Sequence, residues 1–138
     1  MTDFIEPLEP RLLFTNAVLV EMRQVIHADR QRIHYDRTEL HSTALLDVRA
    51  ARGVTKEDRR RILLDQQQLA RDSSLAPGNV PGDQIQLQKD EQAFRQDVLN
   101  AQQTAIADRG RILAQLQTDG GILLHDRIAL FQELKTGI

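Results

Sequence analysis

The sequence predicts an all-α protein: a long helical hairpin, or an elongated four-helix bundle, with coiled-coil-like packing and an extended N-terminal arm. Three observations carry that expectation. Leu12, Leu19, Ile26, Ile33 and Leu40 recur every seven residues, which is helical periodicity without a break. Only one strong breaker region interrupts the chain: positions 75–82 hold two of the four prolines and two of the seven glycines. Aromatic residues make up 4% of the chain and tryptophan is absent, whereas Leu, Ile, Val and Ala at helical spacing suit narrow helix-helix seams.

The chain has 138 residues, a length that suits one domain. Its hydrophobic share of 41% and charged share of 28% are ordinary for a soluble folded protein. A net charge of -2 gives no global field to recruit nucleic acid. Cysteine is absent, which excludes disulfide scaffolds, thiolate metal sites and cysteine nucleophiles. No apolar run is long enough to span a membrane, and no basic-then-apolar leader is present.

The elements are expected in this order. Residues 1–14 form an arm, because Pro7 and Pro10 fix φ, remove two backbone donors and push Glu6 and Glu9 toward extended conformations. A single helical domain then covers 15–138. Its first helix runs over about 15–52, with Met22, Ala44, Leu45 and Val48 widening the apolar stripe and Gly53 as the stop. Asp29 and Asp36 fall where a strict coiled coil wants apolar d residues, so a bundle of mixed period is an equal alternative. Thr55 is the expected N-cap of a second helix over 55–72, with Glu57 and Asp58 in its first turn and Ile62, Leu63, Leu69 and Ala70 inward.

A third helix is expected over 83–118, burying Leu87, Phe94, Val98, Ala101, Ala105, Ile112 and Leu116 and weakened locally at Gly110. Gly120-Gly121 should end it. A fourth helix over 122–135 then presents Leu123, Leu124, Ile128, Phe131 and Leu134, with Arg127 as a basic intruder. Asp-Arg-x-Arg-Ile occurs at 29–33, 58–62 and 108–112. The intervals differ, so this is no solenoid repeat. A pattern shared among helix surfaces explains it more simply than an old duplication of a helical hairpin.

Leu8-Glu9-Pro10-Arg11-Leu12-Leu13-Phe14 resembles the LEPR-XLL motif, which sits near the N-terminus of many surface or secreted proteins of planctomycetes and some other bacteria. The Leu-Glu-Pro-Arg core is intact. Phe14 departs from the usual second leucine, and the helical body departs from the β-rich repeats common in that family. The resemblance covers seven positions. It implies export or surface association and carries over no catalytic residue.

Candidate chemistry is sparse. His27, His34 and His41 share one helix face at seven-residue spacing. Successive members lie about 10.5 Å apart along a helix axis, too far to share one metal ion with ligands at about 2 Å. A histidine ridge beside the seam is the simpler reading; a pH-sensitive interface is the functional one. Arginine outnumbers lysine fifteen to three. Arg59-Arg60-Arg61 is flanked by Glu57, Asp58 and Asp65 with no aromatic nearby, so a solvated face with a Glu57–Arg61 pair is preferred to a nucleic-acid patch. The glutamine runs read as helix formers, solvent-exposed or bonding between subunits. No nucleotide-binding, metal-ligand or hydrolase arrangement is present, and His125-Asp126 reads as structural.

The expected function is therefore structural and non-catalytic: a self-assembling helical subunit of a cell-surface or extracellular assembly, a filament being one form. No cofactor, metal, nucleic acid, membrane span or small-molecule substrate is expected; the partner is a copy of the chain. Leu12, Leu13, Phe14, Leu19, Ile26, Ile33, Leu40, Phe94 and Phe131 are the expected subunit contacts. Asp29, Arg30, Asp36 and Arg37 are expected to specify register or partner. The alternative is a cytoplasmic helical adaptor or chaperone-like module of a phage or secretion machine, binding one partner at fixed stoichiometry.

Overall fold

A computed structural model describes the backbone of residues 8–136 and the side chains of residues 16–136. The described chain is all-α, with no strand. Helix α1 is Leu8–Leu75, 68 residues, and helix α2 is Val80–Thr136, 57 residues. Between them stands one 3₁₀ turn, Pro77–Asn79.

Two helices replace the expected four. Gly53, Gly110, Gly120 and Gly121 all lie inside helix, none with positive φ. Each weakens a helix by only about 1 kcal/mol relative to alanine, which packing of the flanking turns offsets. Thr55 caps nothing. Its Oγ1 donates back to the carbonyls of Ala51 (2.8 Å) and Arg52 (3.2 Å), so the hydroxyl finds acceptors without breaking α1.

The expected arm over 1–14 also differs where it is described. Residues 8–14 belong to α1, while 1–7 lie outside the described residues. Pro10 falls in the first helical turn, where backbone N–H groups have no intrahelical partner to lose. The breaker region is likewise shorter than expected. Ala76 leaves the helical region (φ -145°, ψ 66°) ahead of Pro77, Asn79 N–H donates to the Ala76 carbonyl, and Pro81 sits in the first turn of α2.

The helical region divides into two compact units. One takes in the chain up to Leu40 and from Ile112 onward; the other is His41–Arg111. Both helices contribute to both units, and within each unit α1 and α2 pair antiparallel.

Buried apolar residues are few: Ile26 at 6% exposure and Ile112 at 0%. Leu19, Ile33, Leu40, Ile62, Leu69, Leu87, Phe94 and Leu116 are half-buried. Leu63, Ala70 and Ala105, expected inward, are exposed, as are Leu124, Ile128 and Phe131. The apolar stripe that faces the partner helix is narrower than the sequence pattern suggests, because a two-helix seam covers only the a and d rows of each helix and leaves the flanking positions to solvent.

Candidate functional site

The seam is lined by aspartates. In the first unit Asp29 faces Asp126 and Asp36 faces Asp119, each pair with carboxyl oxygens in hydrogen-bonding reach. In the second unit Asp47 faces Asp108, Asp58 faces Asp97, Asp65 faces Asp90 and Asp72 faces Asp83. The residue numbers of every pair add to the same total, so one register serves all of them.

The local sequence explains the placement. On α1 the aspartates are spaced by seven or eleven residues, two or three helical turns, which returns them to one face. Most follow an apolar residue three positions earlier, as in Ile26-x-x-Asp29, Ile62-x-x-Asp65, Leu87-x-x-Asp90 and Leu123-x-x-Asp126. The seam therefore alternates apolar and carboxyl layers. The Asp-Arg-x-Arg-Ile segments are part of this pattern: Asp and Ile, four apart, occupy the seam, and the first arginine after each aspartate is exposed.

Four of these carboxyls are buried and the other eight are half-buried. Asp36 is 1% exposed and Asp29 2%, and Asp58 and Asp72 are buried as well. Asp29 Oδ2, both oxygens of Asp36, and Asp58, Asp65 and Asp83 Oδ2 are buried with no N–H or O–H donor. Compensation from elsewhere is slight. Arg32 reaches Asp29 at 3.8 Å. Asp72 is the exception, because Gln68 Nε2 donates to its Oδ2 at 2.9 Å.

Burial and the facing carboxyl shift the acidities. Burial, then the hydrogen bond and charge of the partner, raises Asp29, Asp47, Asp58 and Asp65, the last to about 6. At Asp36 and Asp83 the bond to the facing aspartate leads and burial follows. Asp72 is lowered, chiefly by the Gln68 hydrogen bond, and Asp90 by the bond from Asp65 and then Gln86. Every pair thus has one member that holds its proton more firmly than a free aspartate.

Of the expected site residues, Asp29 and Asp36 stand in the seam, whereas Arg30 and Arg37 are exposed and Arg32, not foreseen, is the ion-pair partner. Ile26 is buried, Leu19, Ile33, Leu40 and Phe94 half-buried, and Phe131 exposed; the side chains of Leu12, Leu13 and Phe14 lie outside those described. His27, His34 and His41 are exposed, His27 accepting from Gln31 at 3.2 Å. Glu57 pairs with Arg61 at 4.0 Å as expected. The expectation of no aromatic beside the arginine run is corrected: the Arg59 guanidinium lies 6.0 Å from the Phe94 ring centre, a contact made by α2. The other ten seam aspartates were missed, and the repeated apolar-x-x-Asp spacing was the signal that could have found them.

Among the described residues no group of three or more His, Cys, Asp or Glu side chains could hold a metal ion, and no helix is long and apolar enough to cross a membrane. Comparison with protein-family models, with curated proteins and with solved structures finds no match.

Proposed function

We propose that this chain is a structural, non-catalytic helical module that assembles with copies of itself. The observation that carries the reading is an apolar row on α2 in the first unit. Leu113, Leu124, Ile128 and Phe131 are 43%, 60%, 49% and 66% exposed. Their spacing puts them on one side of the helix, turned away from Asp119 and Asp126. Large apolar side chains aligned on an outward face favour a partner surface, and a second copy supplies the same row. The LEPR-XLL resemblance adds a cell-surface or extracellular setting to this reading.

Light scattering after size exclusion tests it. The expected result is a mass at a multiple of 15.7 kDa that rises with concentration. Leu124→Glu with Phe131→Glu should lower that mass while the helical circular dichroism stays unchanged. A monomer at every concentration removes self-assembly and leaves the adaptor reading, whose signature is a one-to-one complex with a different protein.

A further inference from the structure

We propose that the seam is a proton-binding site: each facing aspartate pair takes up one proton, and this uptake makes the paired helices more stable in mild acid than at neutral or alkaline pH. The geometry requires a positive charge or a donor between the carboxyls. Asp36 has both oxygens buried without a donor, opposite Asp119 in hydrogen-bonding reach. Two ionised carboxylates there would repel each other in a setting that water hardly screens. One proton converts the contact to O–H···O⁻, a short charge-assisted bond that satisfies both sides.

Other sources of charge are insufficient. In the first unit the charged groups acting on the seam are Arg32, near Asp29, and Glu39, near Asp36, besides the aspartates themselves. In the second unit Arg61 acts on Asp58 and Asp90, and Arg71 acts on Asp72. Asp108 is the one charged group that acts on Asp47. A divalent cation has no comparable seat. Calcium takes six to eight oxygens at about 2.3–2.6 Å, whereas only two carboxyls converge at each level and they approach each other directly.

The sign follows from linkage. A free aspartate loses its proton near 3.8, whereas Asp65 keeps its own to about 6 in the folded chain. The stabilisation from such groups is fully present below about pH 4 and is lost as pH rises through their folded values. Asp72 and Asp90, shifted downward, act oppositely: their contribution is present above 3.8 and is lost on further acidification. Stability should therefore peak in mild acid.

Thermal unfolding of the full chain, followed by circular dichroism from pH 4.5 to 8.5, is the test. The melting temperature should be highest near pH 5 and fall by at least about 5 °C by pH 8, a shift readily resolved for a chain of this size. Asp36→Asn and Asp65→Asn each place an amide donor in one pair, so each should raise the melting temperature at pH 8 and flatten the profile. The exposed histidines at 27, 34, 41 and 125 remain in both variants and act as the control. A flat or rising profile overturns the proposal, and so does a wild-type slope in both variants. Recovery at pH 8 on adding calcium or magnesium chloride would assign the site to a cation instead. Should the variants not fold, carboxyl carbon shifts of the unmodified protein decide: Asp65 must titrate near pH 6, and its titration at the free-aspartate value would exclude proton sharing.

Discussion

Aspartate and glutamate are not interchangeable in this chain. Every described aspartate sits on the seam, while Glu21 and Glu57 are exposed and Glu39, Glu91 and Glu133 half-buried. The shorter side chain lets two carboxyls meet without spreading the helices. Asp58→Glu should therefore lower the melting temperature at pH 5, because the extra methylene of this buried side chain must be fitted against the facing Asp97. Glycine is the other residue whose placement matters. A Cβ at Gly53 would meet nothing within 4 Å, and its φ is not positive. Gly53→Ala should stabilise the protein by roughly 0.5–1 kcal/mol, read from chemical denaturation, through helix propensity and lost unfolded-state freedom.

The elements were legible in kind but not in number. Periodicity identified helix throughout; of the positions named for the buried face, Ile26, Ile62, Phe94 and Ile112 are buried or half-buried, whereas Leu45, Val48, Leu63, Ala70 and Ala105 are exposed. Helix ends were misread because local signals at Gly53, Thr55 and Gly120-Gly121 were given full weight. Pairing along a long partner helix overrides propensity costs of about 1 kcal/mol. Asp29 and Asp36 were read as departures from a heptad that could specify register, each judged against an apolar ideal on its own helix. Their meaning lies in the facing residue, and a single sequence displays that only when both helices are read together in opposite directions. Ile112 illustrates what the narrow apolar layers contribute. It is fully buried in a protein with little other core. Ile112→Ala should cost about 2–5 kcal/mol in urea unfolding, and a loss under 1 kcal/mol would mean that carboxyl layers, not apolar ones, dominate stability.

For the whole molecule, the two units share one pairing rule, and their boundary on each helix falls within an eleven-residue interval between aspartates, Asp36 to Asp47 and Asp108 to Asp119. The same acidic conditions that strengthen the seam leave the outward apolar row untouched. Assembly and folding should thus separate experimentally: the Leu124→Glu, Phe131→Glu chain should keep the wild-type pH profile of melting, extrapolated to infinite dilution, while losing mass by light scattering. Joint loss of both would mean that the seam forms only within the assembly.

The constant pairing register restricts how such a gene can change length. One codon added between Asp58 and Asp65 would swing Asp47 and Asp58 about 100° around the helix and advance them 1.5 Å, detaching them from Asp108 and Asp97. Only a matching codon between Asp90 and Asp97 would restore the fit. Viable length variants should accordingly carry twin indels, mirrored about the short connection, and lone ones should be confined to that connection or to the chain ends.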